Sequence, residues 1–566
     1  MTLLNPTQLA ELPLDARSRE IVTKTIEFFE KKGKKRLRED DLDRVWYSDF
    51  LDFVKRERIF ADLLTPPELG GADARWDTFR NCFVNEVLGF YGLCYWYTWQ
   101  VSILGLGPLW MSPNGAMRKK TARALESGGI FAFGLSEKEH GADIYSTSMT
   151  LSPQEDGSFL ANGSKYYIGN GNEAAIVSVF GKMADSGDYV FFAADPKRSG
   201  YKLVKNVVAS QSYVAEFELE NYRVAAEEVL IQGKDAWNAA LNTVNVGKYN
   251  LGWASIGICE HAFHEALNHA TGRRLYGMAV TDFPHVSRMF VDAWARLVAM
   301  KVFAFRASDY LRAASLEDRR YLLYNPIMKM KVTTEGEKVV DLLWDVIAAK
   351  GFEKDVYFEM AARDIRALPK LEGTVHVNIA LIVKFLANWL FRPATCPEVG
   401  RRSEPAHDAF LFAQGPASGL GKIRFHDFAP AFEKYARVPN VALFREQLGA
   451  FRELVGAAAP TEEQAKDVDL LLAVGDLFAL AVYAHLVLEG AEHHNLTDDT
   501  LDQVFDVFVR DFSSYALKLH ERSGATEKQA AMALRLVKRP VFDTGRFKRI
   551  WESEVYALRE TYRMRE

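Results

Sequence analysis

The sequence predicts a helical N-terminal domain, a middle antiparallel β-domain, a C-terminal helical domain, and an additional mainly helical segment. Three observations carry this reading. Apolar residues recur at three-to-four spacing up to about residue 130 and again from about 236. Between them lie short β-rich runs separated by Gly, Asn, Asp and Pro. The chain has 566 residues, more than one hydrophobic core serves, so three or four domains are expected.

Residues 1–130 form the first predicted domain. Residues 20–29 carry a helical apolar stripe, and the cluster Lys31-Lys32-Gly33-Lys34-Lys35 reads as a solvated helix end rather than a nucleic-acid patch. Pro66-Pro67 and Gly70-Gly71 punctuate a loop. Residues 83–110 are aromatic and nearly uncharged, which suits a buried helix; contribution to a ligand cavity is the sharper reading. Residues 131–235 hold the β runs at 175–180, 189–193 and 213–219. Helical periodicity fills 236–385, with Pro369 breaking it just before Glu372. The succession of helical, β and helical units suggests crevices suited to a cofactor. The additional segment, 386–566, opens on Pro393, Pro397, Pro405 and a Gly-rich loop at 415–421. A joint is expected at 457–461, and two or more amphipathic helices over 465–516. Gly524 and Pro540 interrupt the helical material beyond.

Bulk properties exclude several classes. A net charge of -5 gives no general attraction to nucleic acid. Twelve histidines are scattered, His493-His494 lacks ligand spacing, and no Cys-x-x-Cys occurs, so no metal site is expected. Four cysteines in so long a chain suit a reducing compartment. The N-terminus shows no apolar secretory region, which favours the cytoplasm; the mitochondrial matrix is the alternative if a transit segment precedes this numbering. The most apolar stretch, 477–488 between Asp476 and Glu489, is too short for a bilayer, and nothing in the sequence supports peripheral membrane association.

Four motifs point to chemistry. They are Gly134-Leu135-Ser136-Glu137 with Gly141-Ala142-Asp143, then Gly163-Ser164-Lys165-Tyr166-Tyr167-Ile168-Gly169-Asn170-Gly171, then Arg273-Arg274-Leu275-Tyr276-Gly277, and finally Glu372-Gly373-Thr374. Each is weak alone. In this order and spacing, over roughly residues 15–385, the chain resembles the acyl-CoA dehydrogenase flavoprotein family. By length and texture, the C-terminal addition is similar to that of the very-long-chain branch.

The resemblance implies an acyl-CoA dehydrogenase-like fold, its C-terminal domain a four-helix bundle, with FAD where the β-domain meets the C-terminal helices. It implies α,β-dehydrogenation of an acyl-CoA thioester to trans-2-enoyl-CoA in lipid metabolism. Glu372 would remove the pro-R α-proton and flavin N5 would accept the β-hydride. Such a base must act together with a stabilised thioester oxygen. Leu135, Ser136 and Tyr167 match positions around the flavin ring, and Thr374 another cofactor contact. Gly169 falls where a threonine often binds the flavin. Arg273 matches the arginine reaching the FAD pyrophosphate across a subunit interface, so a homodimer is expected. Lys248 stands where a substrate-contacting arginine is common, and Gly373 adjoins the substrate. Electrons would pass to an electron-transfer flavoprotein or another acceptor.

Plainer readings stand beside these. Glu372 could cap a helix or pair with Lys370, Ser136 could be a turn residue, and Tyr167 a strand core residue. Arg273 and Lys248 could be ordinary surface cations, with Arg274 pointing elsewhere on a helix. Tyr95, Trp96, Tyr97, Trp99, Trp110 and Trp253 offer either an acyl-chain wall or core. Ala142, Asp345 and Ala348-Ala349 depart from the family's serine, glutamine and paired glycines, and Pro284 from a usual glutamine. Three other functions are carried forward: desaturation of a carrier-protein-bound acyl group, a flavin oxidase or monooxygenase, and a non-catalytic binding homologue.

Overall fold

The computed structural model describes residues 3–9 and 12–566. They form two compact units. One comprises residues 12–250 with 403–418 and 565–566; the other comprises 3–9, 251–402 and 419–564.

The first unit is helical up to Glu126 and then turns to strands: β1 Phe131–Gly134, β2 Thr150–Pro153, β3 Phe159–Gly169, β4 Ile176–Met183, β5 Tyr189–Ala194, β6 Tyr201–Asn206, β7 Val214–Val224 and β8 Val229–Gln232. They make one sheet in the order β6-β7-β3-β2-β4-β5-β8, with β1 also on β4. The expected antiparallel domain is in fact mixed, because β1 and β2 both pair with β4 in parallel, end to end along one edge. Lys202 and Lys205 on the edge strand β6 pair across to Glu218 and Glu216 of β7. Charge of this kind protects an open edge from further pairing.

The buried aromatic helix is present as Thr78–Tyr91 followed by Leu93–Met111. Its indoles are core groups with satisfied N–H donors: Trp96 and Trp99 both donate to Asn85 Oδ1, and Trp110 donates to the Leu64 carbonyl. The helix packs onto the sheet so closely that a Cβ on Gly105 would meet the Ala132 backbone at 2.7 Å. Ser178 of β4 donates to the Gly105 carbonyl at 2.7 Å. A sharp difference from the sequence reading lies in the proline-rich linker. Residues 403–418 belong to this unit: His407 Nδ1 accepts from the Trp76 amide, and Asp408 exchanges bonds with Trp76 and Thr78.

The second unit is built of helices. The 40-residue helix Gly233–Gly272 feeds it, followed by Pro284–Arg312, Thr333–Ile347, Tyr357–Ile365 and Val375–Ile382. The additional segment supplies Pro439–Ala457, Val468–Ala491, Asp498–His520 and shorter helices. Val468–Ala491 is not the amphipathic helix expected: it is buried nearly all round. By length and composition it is the one helix among the described residues able to cross a membrane, which corrects the view that the apolar stretch is too short. Here 83% of its most apolar window is buried in protein, as in a core helix.

Ion pairs join the additional helices to the earlier ones. Arg510 forks onto Asp292, and Arg296 forks onto Asp511. Arg296 also meets the buried Glu335, which receives Lys331 at 2.6 Å and Lys338 at 3.0 Å.

Candidate active site

The candidate residues fall into two groups, one in each unit. In the helical unit, Glu372 lies in the short connection between Tyr357–Ile365 and Val375–Ile382. Its backbone is left-handed, φ +50°, and so is that of Gly373, φ +87°. Such a conformation at a glutamate costs about 1–2 kcal/mol. The connection then enters a helix whose N-cap is Thr374, its hydroxyl accepting from the Val377 amide. Both plainer roles proposed for Glu372 are therefore filled by other residues. Thr374 caps the helix, and Lys370 is ion-paired with Glu337. Glu372 is half-buried.

Two side chains that the sequence did not single out hold this turn. Lys329 is 0% exposed and donates to the Pro369 carbonyl at 2.6 Å and to the Gly373 carbonyl. Asn378 Nδ2 donates to the carbonyls of Gly373 at 3.1 Å and Thr374 at 2.9 Å. Lys329 sits on a π-helical turn, Met328–Val332, between Met328 and Met330. Lysines alternating with apolar residues in Met328-Lys329-Met330-Lys331-Val332 were the available signal.

In the sheet unit, Leu135 and Ser136 follow β1 and are half-buried, with the Ser136 carbonyl accepting from the Tyr166 amide at 3.0 Å. Tyr167 is not a strand core residue. Lys165 pairs with Phe217 and Ile168 with Ala215, so two residues of β3 face one of β7 in a bulge. Tyr167 takes φ +64° there, and its ring is turned out to 61% exposure.

A buried pair ties the two motifs together. Lys165 Nζ donates to Glu137 at 2.8 Å and to the Leu135 carbonyl at 3.0 Å. Glu137 also accepts from Thr147 and from the amides of Ser148 and Met149. Burial pulls the Lys165 ammonium down to about 8, with Glu137 opposing that fall. For Glu137, burial raises the carboxyl, but Lys165 and the other donors outweigh it and hold it below its ordinary value.

Gly169 faces the helix Leu93–Met111. A Cβ there would lie 2.7 Å from the Tyr97 ring and from Val101, so the threonine common at this position has no room. Any cofactor contact from 169 falls to the backbone. Lys248 is 7% exposed, which removes its reading as an ordinary surface lysine.

Arg273 and Arg274 do not lie on a helix. The helix ends at Gly272, and Arg274–Leu275 pairs with Met278–Ala279 in an exposed hairpin. Tyr276 at φ +53° and Gly277 at φ +81° form its turn, the type I′ geometry that suits a two-residue hairpin. Arg273 is exposed at the base of the hairpin. Among the departures, Ala348 takes φ +58°, ψ -141° as it ends the helix Thr333–Ile347, a conformation suited to glycine.

His426, His485 and Glu489 bring potential ligand atoms within 4.8 Å of one another. Arg320 donates to His426 Nδ1 at 3.0 Å, so Nε2 carries the ring proton toward Glu489 at 2.6 Å. Arg306 and Tyr310 occupy the other Glu489 oxygen. His485 Nε2 lies 3.1 Å from the Glu489 oxygen that faces His426, so Glu489 and His426 sit within an ion-pair and hydrogen-bond network.

Comparison with known proteins agrees with this architecture. Residues 235–387 match the family model for the acyl-CoA dehydrogenase C-terminal domain. The very long-chain specific mitochondrial acyl-CoA dehydrogenase of Rattus norvegicus is 25% identical over 373 residues, 63% of this chain and 55% of the relative. The chain thus spans about half the length of the very-long-chain relatives it matches. An acyl-CoA dehydrogenase from Bacillus anthracis, solved in complex with FAD, shares the fold over 99% of this chain and 98% of its own, at TM-score 0.74 and 16% identity. The prolyl acyl carrier protein oxidase AnaB aligns at TM-score 0.56 and 21% identity, over 66% of this chain and 99% of its own. In its C-terminal-domain match, its sequence relatives and its fold, the chain is similar to acyl-CoA dehydrogenases.

Proposed function

We propose that the protein is an FAD-dependent acyl-CoA dehydrogenase that converts an acyl-CoA thioester to trans-2-enoyl-CoA, with Glu372 as the α-proton base. The observation that carries this reading is the Glu372-Gly373 turn. It is left-handed at both residues and runs directly into the helix capped by Thr374, inside the segment that matches the family's C-terminal domain.

Residues of this chain fit a flavin. Tyr167 offers an exposed aromatic face on its bulge, Ser136 a hydroxyl beside it in the same sheet unit, and Leu135 backbone groups. Arg273 offers an exposed guanidinium suited to a pyrophosphate, and Thr374 a hydroxyl at a helix N-terminus. FAD, when bound, supplies the acceptor for the hydride that leaves the β-carbon. Glu372 takes the α-proton onto its carboxylate as the α,β double bond forms, and its own backbone N–H is the protein donor proposed for the thioester oxygen. Gly373 next to it leaves the thioester unobstructed by a side chain. Lys248 is the proposed cation for the polar part of the substrate. We place the working protein as a homodimer in the cytoplasm that passes electrons to an electron-transfer flavoprotein or a comparable acceptor.

Anaerobic titration of the FAD-loaded protein with acyl-CoAs of varied length and branching tests the proposal. Bleaching of the oxidised flavin band is expected with at least one of them, and Glu372→Gln keeps FAD while losing rapid bleaching. Reduction of Glu372→Gln at the wild-type rate would reject Glu372 as the base. Fold likeness to a carrier-protein oxidase supports a second reading, an acyl group borne on a carrier protein. Bleaching by the carrier-bound thioester but not by the CoA thioester would favour it.

A further inference from the structure

Resting on the reading of Glu372 as the base, we propose that Lys329 and Asn378 are positioning residues that clamp the backbone on both sides of Glu372. The Pro369 carbonyl, three residues before Glu372, accepts from Lys329 Nζ at 2.6 Å. The Gly373 carbonyl, one residue after it, accepts from both Lys329 Nζ and Asn378 Nδ2. Asn378 also holds the Thr374 carbonyl. With both of its flanks fixed, the Glu372 peptide cannot relax from φ +50° by rotating its neighbours. The same constraint fixes where the Glu372 side chain leaves the backbone and where its amide N–H points.

The π-helical turn explains how one lysine reaches this place. Met328–Val332 is wound more widely than an α-helix, and Lys329 and Lys331 leave it in different directions. Lys331 joins Glu335, whereas Lys329 goes to the turn. Burying an ammonium is costly, and its neighbours Met328, Met330 and Val332 are all apolar. A core built for packing alone would put an apolar side chain at 329 as well. π-Turns of this kind recur at functional sites.

The test compares Lys329→Met and Asn378→Leu with the wild type and Glu372→Gln, all FAD-loaded, using the acyl-CoA that bleaches the wild-type flavin fastest. The expected result for either clamp variant is unchanged FAD content and thioester affinity, with flavin reduction at saturating thioester slowed roughly 10- to 100-fold. Hydrogen exchange on the cofactor-free protein should accelerate at the amides of residues 372–375 and not across the helical unit. Wild-type reduction and exchange in both variants would overturn the clamp. So would equal losses of FAD content, thioester affinity and rate, which mark a general packing role. If Lys329→Met does not accumulate as folded protein, Asn378→Leu, which leaves the buried charge in place, decides by the same two readouts. Full activity in Glu372→Gln sinks the base assignment itself. Loss of activity there, with both clamp variants unaffected, sinks only the clamp.

Discussion

At the residue scale, backbone conformation separates the candidate base from an ordinary surface carboxylate. Glu372 and Ala348 are both non-glycine residues at positive φ in the helical unit, yet their settings differ. Glu372 is followed by Gly373 and by a capped helix, and the carbonyls around it are held by two buried donors. Ala348 is exposed, ends its helix through a bond from its amide to the Trp344 carbonyl, and takes ψ -141°, where a Cβ is crowded by its own backbone. Replacing Ala348 with glycine removes that crowding and adds freedom to the unfolded chain, and the two effects oppose. The first is larger at this φ and ψ, so Ala348→Gly should stabilise the helical unit by about 1 kcal/mol. The urea midpoint of the variant should rise; a fall would show that the alanine is not strained there.

At the element scale, the hairpin 274–279 is the clearest surface feature. Tyr276 at its tip is 95% exposed, and Leu275 and Met278 beside it are exposed as well. Three large apolar side chains on one small turn suit a contact with a second copy of the chain. On the proposed homodimer, with Arg273 as the proposed pyrophosphate contact at the base of the same hairpin, Leu275→Lys should shift the FAD-loaded protein toward monomer in sedimentation and lower its FAD content. A wild-type protein that sediments as a monomer with full FAD would refute this.

The hairpin also shows what the sequence could convey. Tyr276-Gly277 was visible as a motif, but reading Arg274 on a helix missed the turn, because positive φ at a tyrosine has no strong signature. Helical and β textures were legible because periodicity reports burial directly. The parallel placement of β1 and β2 on β4 was not, since it depends on pairings distant in sequence. Nor was the folding of 403–418 onto Trp76 and Thr78. Of the site, the motif residues could be named from the chain. The donors that hold them, Lys329, Asn378 and the Lys165–Glu137 pair, act through tertiary contacts and became visible only in three dimensions.

At the scale of the whole helical unit, the additional C-terminal segment is joined to the earlier helices through buried charge. Glu335 and Asp511 meet Arg296, Lys331 and Lys338, so three cations surround two carboxylates. Burial alone would raise both carboxyls, but the cations outweigh it and hold both below the usual carboxylate range. A carboxyl whose folded value lies below its unfolded value binds fewer protons in the folded state. Its contribution is complete above about pH 4.5, the ordinary carboxylate range, and drains away as pH falls through the folded value. Stability of the unit should therefore decline steeply on acidification below about pH 4. Glu335→Gln leaves Arg296, Lys331 and Lys338 facing one carboxylate instead of two. The expected cost at neutral pH is roughly 3–5 kcal/mol, the size seen when one member of a buried ion pair is removed. The variant's acid limb should also be shallower than that of the wild type, because one of the two titrating groups is gone. Urea midpoints followed from neutral pH into acid measure both effects. Wild-type stability at neutral pH together with an unchanged acid slope would mean that the charges at this junction contribute nothing net, and that packing alone attaches the additional helices.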